Sequence, residues 1–432
     1  MPSVQKLLDQ IRKGAYDATF GKLYSKEDVV ITKQKERYCE ALEDFERLFG
    51  KDREVHLYSA PGRTEIGGNH TDHNNGVVMA AAVNLDIIAV VAKNDENVIR
   101  VHSKGFAGTD VVSLADLSVV EKEKGKSASL IRGMAAGIQR EGGKIGGFDA
   151  YTTSDVLRGS GLSSSAAFEV VVGAILNGEY NQNAFSAVKI AQLSQYAENV
   201  FFGKPSGLMD QTACSVGSAI MIDFKNPDAP LVEEVHFDLE KHGYFLCITD
   251  TKGSHADLTD DYAAIRREME SVAEFFGKKV LREVDEDDFW KQIAELRTKL
   301  GDRAVLRAAH FFAECHRARA LCSAAAEDRF DDFRKLILMG GHSSFEYNQN
   351  AYSIRHPQQQ GVSIGLAVSQ HVLKEHGAWR LQGGGFAGTI QAFVPKDLLK
   401  AYCDAMEKCF GEHSCYVLNV RNYGAVEVTE HL

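Results

Sequence analysis

A glycine- and serine-rich loop leads directly into a helical run in the segment RGSGLSSSAAFEV, residues 158–170. The first turn of a helix has unpaired backbone N–H groups and the positive end of the helix dipole, so it can bind anions. Gly159 and Gly161 would let the backbone approach a phosphate closely, and the serines at 163–165 add hydroxyl groups. The alternative is a serine-rich N-cap on a core helix.

The same segment lacks the best-known loop signatures. There is no GxxxxGK[ST] phosphate loop and no GxGxxG with an acidic residue about twenty positions on. The glycine spacing also excludes the GxSxG nucleophile elbow. The segment therefore predicts an anion site of a different type.

Composition limits the class of protein. The chain has 432 residues, of which 44% are hydrophobic and 25% charged, which predicts a globular protein of two domains. Its net charge of −11 argues against nucleic acid or an anionic membrane as the main partner. The eight scattered cysteines form no CxxC pair, so we expect reduced thiols, mostly in the core, and no zinc site. The localisation predicted is cytoplasmic.

Helices and strands mix without a regular βαβα alternation, which favours an α+β fold. Residues 1–50 have helical spacing, whereas 53–60 alternate as a strand. The apolar run 77–92 is shorter than the ~20 residues of a membrane span and is interrupted by polar residues, so it predicts two buried strands. The best domain boundary lies near NPDAPL, which divides the chain into residues 1–228 and 229–432.

Three further polar or glycine-rich segments indicate a site. GRTEIGGNHTDHNNG (62–76) is dense in small hydrogen-bonding residues, and LQGGGFAGTIQAFV (381–394) has three consecutive glycines between apolar runs. Asp210, in GLMDQ, has apolar neighbours, and a positioned carboxylate of this kind suits a general base. The alternatives are an N-cap for Asp210 and a purely structural hairpin for the glycines.

Taken in order, these segments resemble a known family. GLSSSAA, MDQ and GGGFAG are similar to the three motifs of the GHMP small-molecule kinases. APGRTEIGGNHTDHNNG resembles the galactokinase motif, usually GRxNLIGEHTDYNxG, and TDTKGSHADLTDDYAAIRRE resembles the galactokinase segment with a sugar-contacting tyrosine. The resemblance runs from about residue 55 to 395 and implies a two-domain GHMP fold. In that fold a mixed-sheet N-terminal domain and a smaller α/β-sandwich C-terminal domain enclose the active site between them.

The resemblance also implies an activity. Members of the family transfer the γ-phosphate of MgATP to a sugar hydroxyl, in galactokinases O1 of galactose. Asp210 matches the catalytic aspartate and Arg63 the arginine beside it. The matching substrate-binding residues are Asn69, His70, Asp72, Gly207 and Tyr262. The matching phosphate-binding residues are Gly159, Ser160, Gly161, Leu162, Ser163, Ser164, Ser165, Gly384 and Gly385, and the Mg²⁺ ligands are Ser165 and Glu198.

Several departures leave alternatives open. The family's Glu in GEHTDY is Asn69, which could hold a C6 hydroxyl or tolerate a C6 carboxylate, so a galacturonate kinase is the alternative to a galactose kinase. A metal bound by His70, Asp72 and His73 is a weaker hypothesis, since the spacing is not that of a helical ligand pair. A catalytically silent sugar sensor is the remote alternative. We expect ATP, Mg²⁺ and a sugar as ligands, and a monomer without nucleic-acid or membrane partners.

Overall fold

The computed structural model describes residues 2–156, 161–253 and 258–430. The strands are β1 His56–Gly67, β2 Val77–Asn94, β3 Val98–Ser103, β4 Thr109–Ser113, β5 Gly147–Ser154, β6 Ala219–Asp223, β7 Leu231–Val235, β8 Tyr244–Asp250, β9 Ala378–Gln382, β10 Thr389–Pro395, β11 Cys415–Leu418 and β12 Val426–Glu427. The α-helices are α1 Val4–Arg12, α2 Asp17–Leu23, α3 Asp28–Phe49, α4 Ser127–Arg140, α5 Ser164–Asn181, α6 Ala187–Tyr196, α7 Met209–Val216, α8 Thr259–Phe275, α9 Glu286–Lys291, α10 Ile293–Leu300, α11 Asp302–Ala326, α12 Phe330–Ser343, α13 Gly361–Leu373 and α14 Leu399–Phe410.

A large mixed sheet forms the centre of the first part of the chain. Its strand order is β12-β1-β2-β5-β3-β4, with β6 paired to β2 and β7 paired to β6. Strands β3 and β5 run parallel, whereas the other paired strands run antiparallel. The sheet is therefore mixed, as the resemblance implied.

The apolar run at 77–92 forms one continuous strand, so the prediction of two strands there is wrong. The strand changes partner along its length, since Ala81 pairs with Ala219 of β6 while Ile87 pairs with Ser154 of β5. Between these two parts, Asn84 accepts a hydrogen bond from the backbone N–H of Asn419 at 2.9 Å. The polar interruption thus serves strand pairing, and it does not end the strand.

Helices cover both faces of the large sheet. Alternate residues of a strand point to opposite faces, and accordingly Leu57 packs in a core with α1–α3 while Tyr58 packs in the core that contains α5. The predicted helical lead-in is confirmed, because its apolar positions close the first of these cores. Among the described helices, none combines the length and the apolar character that a membrane span requires.

A second, four-stranded sheet has the order β11-β8-β10-β9 and is antiparallel throughout. Helices α13 and α14 pack on one face of it, where Leu373 and Met406 meet Leu381. Helix α12 packs on the other face, where Phe333 contacts Phe393 at a ring-centroid distance of 5.2 Å.

The two sheets are not divided by a single point in the chain. Strand β7, just after the predicted boundary at 228/229, pairs with β6, and the terminal strand β12 returns to pair with β1. The large sheet therefore takes strands from both sides of that boundary. The division into residues 1–228 and 229–432 stays a prediction.

Candidate active site

An arginine–aspartate pair lies where β1, α5 and α7 meet. Arg63 of β1 donates to both carboxylate oxygens of Asp210, from Nε to Oδ1 at 2.7 Å and from Nη2 to Oδ2 at 2.6 Å. The Ser163 hydroxyl also donates to Asp210. Arg63 is almost fully buried, while the Asp210 side chain keeps 31% of its surface exposed. The carboxylate is thus held firmly and remains partly exposed.

The pair keeps Asp210 ionised. Burial by itself would raise the pKa of the Asp210 carboxyl group, but the charge and hydrogen bonds of Arg63 outweigh it and lower that pKa below its ordinary value. Asp210 lies in the first turn of α7, whose N-cap is Leu208, so the alternative that Asp210 caps this helix is wrong. Its hydrogen bonds go to Arg63 and Ser163.

The described part of the predicted phosphate loop leads into the N-terminus of α5. Gly161 and Ser163 both have positive φ, of 69° and 57°, which turns the chain sharply before the helix begins at Ser164. Ser163 occupies the N-cap position of α5, but its side chain makes no cap hydrogen bond and its hydroxyl group donates to Asp210. A serine thus stands at the N-cap, as the alternative proposed, without capping the helix through its side chain. Gly159 and Ser160 lie outside the described residues.

Neighbouring glycines hold this loop against β1. Arg63 donates its backbone N–H to the carbonyl group of Leu162 at 3.1 Å. A Cβ atom on Gly62 would lie 2.8 Å from that carbonyl oxygen, so glycine is needed for the close approach. The carbonyl group of Gly161 accepts hydrogen bonds from Arg63 and, at 2.9 Å, from Gln382 of β9.

An oxygen-rich cluster adjoins the start of α5. Glu198 lies in the π-helical turn Ala197–Phe202, and Ser165 donates to its Oε1 at 3.4 Å. Lys204 donates to the same oxygen at 3.0 Å while its side chain stays 59% exposed. The two predicted Mg²⁺ ligands, Ser165 and Glu198, are therefore neighbours, and a hydroxyl with a carboxylate is a donor set that suits Mg²⁺.

A second buried carboxyl group stands behind this cluster. Gln211 donates to Glu198 at 2.8 Å and to Glu169 at 3.3 Å. Burial, followed by the nearby charge of Glu198, raises the pKa of the fully buried Glu169 well above its ordinary value. The Oε1 atom of Glu169 has no hydrogen-bond partner among the residues the structure describes. Burial thus favours the neutral form of Glu169 beside Glu198.

The polar loop after β1 brings Asp72 close to the catalytic pair. Burial, and then the charge of Asp210, raises the pKa of Asp72. A Cβ atom on Gly207 would lie 2.1 Å from Oδ2 of Asp72, so only glycine leaves room for this carboxylate. The predicted substrate-binding residues Asp72 and Gly207 therefore lie in contact, beside the predicted catalytic residue.

His70 links this loop to the glycine turn of the small sheet. Burial lowers the pKa of His70 to about 4, so its ring is neutral at neutral pH. Because the Gly384 carbonyl oxygen can only accept, Nε2 of His70 carries the hydrogen and donates at 2.9 Å. The ring of the adjacent His73 accepts a hydrogen bond from Asn74 at 2.9 Å.

Asn69 is fully buried, and protein groups occupy its side-chain amide. Its Nδ2 donates to Glu65 at 3.1 Å and to the carbonyl group of Gly383 at 2.7 Å. Its Oδ1 accepts from Asn350 at 2.9 Å and from Ser344 at 3.3 Å. Two donor hydrogens and two lone pairs exhaust the capacity of an amide. Asn69 therefore has no free polar atom with which to discriminate substituents at C6 of a sugar.

Glu65, for which the sequence offered no role, forms a buried ion pair with Arg380 of β9. The Arg380 Nη2 atom lies 2.7 Å from the Glu65 carboxylate, and their side chains are 1% and 5% exposed. Arg380 also donates to the backbone carbonyl group of Ile66. The pair joins β1 of the large sheet to β9 of the small sheet beneath the cleft.

The glycine turn GGGFAG and Tyr262 form the opposite wall. The Tyr262 hydroxyl donates to the carbonyl group of Gly385 at 2.9 Å, and its ring contacts Phe386 edge-on at 5.3 Å between centroids. A Cβ atom on Gly384 would lie 2.5 Å from the Tyr262 ring. Tyr262 thus fixes the turn, and Gln382, just before it, reaches the phosphate loop at Gly161.

A large cavity opens beside the start of α5. Its volume is about 970 Å³ and its lining includes Ser164, Ser165, Phe106, Phe168 and Phe202. Besides these serines and three aromatic rings, the lining includes polar and charged residues such as Lys104, Asp110 and Lys126. The cavity therefore offers hydroxyl and charged groups together with apolar rings that suit a flat ligand ring.

Sequence reasoning missed Lys204, Glu169, Gln382 and the Glu65–Arg380 pair. Lys204 stands in the segment ENVFFGKPSG, where a lysine directly after a glycine was the one local indication of it. The other residues meet partners distant in sequence, so no local pattern indicates them. The predicted site residues within the described ranges otherwise gather around one cleft.

This arrangement, with a helix N-terminus, an arginine-paired carboxylate and a glycine turn from a second sheet, is that of the GHMP small-molecule kinases. The family model for the GHMP kinases N terminal domain matches residues 129–218, and the model called galactokinase galactose-binding signature matches residues 43–93. A mevalonate kinase structure from L. major in complex with R-mevalonate covers 86% of this chain and 96% of its own, at a TM-score of 0.56 and 13% identity.

Relatives define the family more narrowly. A galactokinase of Glaesserella parasuis is 33% identical over 365 residues, covering 83% of this chain and 89% of the relative. A galactokinase of Streptomyces coelicolor is 30% identical over 376 residues, covering 85% and 92%. The structure of Lactococcus lactis galactokinase complexed with galactose has a TM-score of 0.76 at 22% identity, covering 89% and 98%. The chain belongs to the galactokinase family and is an enzyme, a sugar kinase.

Proposed function

We propose that this enzyme transfers the γ-phosphate of ATP to O1 of galactose, giving galactose 1-phosphate and ADP. The observation that carries the proposal is the pairing of Asp210 with Arg63 and Ser163 at the start of α5. It joins an ionised, accessible carboxylate to a buried cation next to an anion-binding helix end. Family membership and the relatives named galactokinase support the choice of sugar.

Asp210 is the proposed acceptor of the proton of O1. The bond from O1 to the γ-phosphorus forms as the bond from that phosphorus to the ADP oxygen breaks, and the O1 proton passes to Asp210. A lowered pKa makes Asp210 a weak base, so its first contribution is to orient the hydroxyl group in line with the phosphate. In a loose transition state the proton leaves late, which suits such a base.

Arg63 and the loop residues provide the positive potential. Arg63 is fixed by two hydrogen bonds to Asp210 and is proposed to stabilise charge on the transferred phosphoryl group as well. The backbone N–H groups of Ser164 and Ser165 lie in the first turn of an 18-residue helix and would bind the nucleotide phosphates. Gly384 and Gly385 stay predicted phosphate contacts.

Ser165 and Glu198 are the proposed ligands of Mg²⁺. Their oxygen atoms lie 3.4 Å apart, and a hydroxyl with a carboxylate suits a hard divalent cation. Mg²⁺ bound there would neutralise charge on the β- and γ-phosphates. Lys204, which is bonded to Glu198 and mostly exposed, is able to turn toward a phosphate oxygen when the nucleotide enters. The cavity lined by Phe106, Phe168 and Phe202 is the proposed seat of the adenine ring.

Asp72 is the proposed acceptor for two sugar hydroxyl groups, with Gly207 leaving room for its carboxylate. His70 and Tyr262 stay predicted sugar contacts, although each already binds the glycine turn. The side-chain amide of Asn69 is occupied by protein groups and so contacts C6 of neither galactose nor galacturonate. The choice of galactose over galacturonate therefore rests on the relatives named galactokinase.

The first test is ADP release from MgATP with galactose, galacturonate, N-acetylgalactosamine, arabinose, glucose and no sugar. We expect galactose to give the fastest turnover, with the product identified as the 1-phosphate by phosphorus NMR. Because 1-deoxygalactose lacks the acceptor oxygen, it should bind and inhibit without turnover. A preference for galacturonate would contradict the choice of sugar, and ATP binding without turnover on any sugar would contradict the kinase assignment.

The second test is Asp210→Asn, which keeps the shape of the side chain and removes the charge. A group that transfers a proton typically contributes 10²–10⁴-fold, so we expect kcat to fall by about that factor. ATP affinity, measured by calorimetry, should change little. The control is Asp228→Asn, an exposed carboxylate in a turn. Nearly full turnover in Asp210→Asn would refute the proposed role.

A further inference from the structure

Three cysteine side chains meet in the small sheet, outside the cleft. Cys247 lies in β8, Cys403 in α14, and Cys415 begins β11. Their sulfur atoms all lie within 4.8 Å of one another, and the Sγ atoms of Cys403 and Cys415 are 3.7 Å apart. The absence of CxxC spacing led us to expect no zinc site, but cysteines far apart in sequence meet in this thiol cluster.

Strand register explains the cluster. Cys415 pairs with Thr249 across the antiparallel β8–β11 ladder, so their side chains point to the same face. Cys247 is two residues from Thr249 on β8 and shares that face. Helix α14 covers the face, because its residues Tyr402 and Met406 pack with Cys247. Cys403 therefore meets the two strand cysteines from above.

The spacing suits a bound ion better than a disulfide. A Zn²⁺–thiolate bond is about 2.3 Å long, which separates two sulfur atoms of a tetrahedral site by about 3.8 Å. The observed 3.7 Å is close to that value. A disulfide would require a separation of about 2.05 Å, so all three thiols are free.

The surroundings would shelter an ion and still admit it. Cys247 is fully buried, whereas Cys403 and Cys415 are only partly buried. The side chain of Thr249 is fully buried. It lies on the cysteine face, where it can hold a thiolate or an ion-bound water molecule.

We propose that Cys247, Cys403 and Cys415 form a site for a thiophilic divalent cation, Zn²⁺ above all. Three thiolates and one exchangeable solvent ligand complete the coordination. Each coordinating thiol releases its proton to solvent, and no group changes oxidation state. The site differs from the proposed Mg²⁺ site, whose ligands are hard oxygen atoms. Because it joins α14 and β11 to β8, bound Zn²⁺ should stabilise the small sheet.

The experiment uses the reduced full-length chain with excess Mg²⁺ present. We expect one Zn²⁺ per chain to remain after gel filtration, and we expect Co²⁺ in its place to show thiolate charge-transfer absorption. The thermal unfolding midpoint should rise with Zn²⁺. Cys403→Ser and Cys415→Ser should lose the bound ion and the shift, while Cys409→Ser, an exposed cysteine on the same helix, should keep both.

Turnover without Zn²⁺ shows that each variant is folded, because these cysteines lie outside the proposed catalytic machinery. Unchanged Zn²⁺ binding in both Cys403→Ser and Cys415→Ser would overturn the proposal. Co²⁺ binding without charge-transfer absorption would also overturn it. A Cys403–Cys415 disulfide that forms in preference to ion binding, with Zn²⁺ and oxidised glutathione both present, would replace the ion site by a redox bridge.

Discussion

At the residue scale, the lack of a side chain at Gly207 leaves room for the carboxylate of Asp72. A methyl group there would meet Oδ2 of Asp72 at 2.1 Å. We expect Gly207→Ala to displace this carboxylate and raise KM for galactose by about tenfold or more, because a misplaced hydrogen-bonding partner costs about 1–3 kcal/mol. Steady-state kinetics with both substrates measures the effect.

The matched control is Gly21→Ala, at an open position in α2 where a Cβ meets only Lys26 at 3.8 Å. KM for ATP should stay nearly constant in both variants, since Gly207 contacts the proposed sugar-binding residue Asp72 and none of the proposed nucleotide-binding residues. An unchanged KM for galactose in Gly207→Ala would contradict the proposed role of Asp72 in sugar binding.

The buried carboxyl group of Glu65 makes stability depend on pH. Burial, only partly offset by Arg380, raises the pKa of Glu65 to about 6 from an ordinary 4.5. The folded state thus binds the proton more tightly than the unfolded state. Its stabilising contribution is complete below pH 4.5 and is lost as the pH rises through 6.

We expect the wild type to lose about 1 kcal/mol of stability relative to Glu65→Gln between pH 5 and pH 7.5. Urea denaturation of both proteins at the two pH values measures this difference. Glu65→Gln carries no titrating group at position 65, so it serves as the reference for the wild type. A difference that grows with pH would mean that Arg380 lowers the pKa of Glu65.

At the scale of elements, the polar loop after β1 is attached to the glycine turn through side chains. Asn69 binds the carbonyl group of Gly383 and His70 binds that of Gly384, and Asn350 bridges both segments. The loop and the turn are therefore joined directly by hydrogen bonds. A change at Asn69 acts first on this junction.

We expect Asn69→Glu to destabilise the fold by about 3 kcal/mol or more, because it sets a second buried carboxylate beside Glu65. The ratio of galactose to galacturonate turnover should not change. Chemical denaturation and the substrate panel measure the two effects. Gln358→Glu, which adds a charge at an exposed position, is the control. A stable variant with a marked shift toward galactose would restore the C6 hypothesis.

At the scale of the whole molecule, Asp86 joins both ends of the chain to the large sheet. Arg37 of α3 donates to it at 2.6 Å and Arg421, near the C-terminus, at 3.1 Å. The Tyr24 hydroxyl donates at 2.6 Å. Burial would raise the pKa of Asp86, but the two arginines outweigh it and lower that pKa. The residue that interrupts the apolar run at 77–92 is therefore a buried ionic centre.

Asp86→Ala should lower the free energy of unfolding by about 3–5 kcal/mol, because it leaves two buried guanidinium groups without their partner. Denaturation by guanidinium chloride measures the loss. Asp95→Ala, at an exposed position after the same strand, should cost less than about 0.5 kcal/mol. A loss of unfolding free energy below about 1 kcal/mol in Asp86→Ala would show that water replaces the carboxylate as the partner of the two arginines.

The order of the site segments and most of their chemistry follow from local features of the amino-acid sequence. Glycines at a helix start, a carboxylate among apolar residues and a polar loop after a strand are local patterns, since backbone freedom and side-chain donors are properties of adjacent residues. These patterns indicated Asp210, and the family resemblance implied Arg63, Asp72 and Gly207; the fold brings the four residues together. They also carried the family resemblance.

Which polar atoms lack a hydrogen-bond partner can be seen only in the tertiary structure. The side-chain amide of Asn69 is fully hydrogen-bonded, and its partners include residues as distant in sequence as Glu65 and Gly383. The three cysteines at 247, 403 and 415 are neighbours because of the strand register and the helix that covers the sheet. Likewise, the long strand at 77–94 and the return of β12 to β1 depend on pairing between distant segments. Burial and hydrogen bonding depend on contacts with residues that are distant in the chain. The spacing of residues along the sequence does not reveal those contacts.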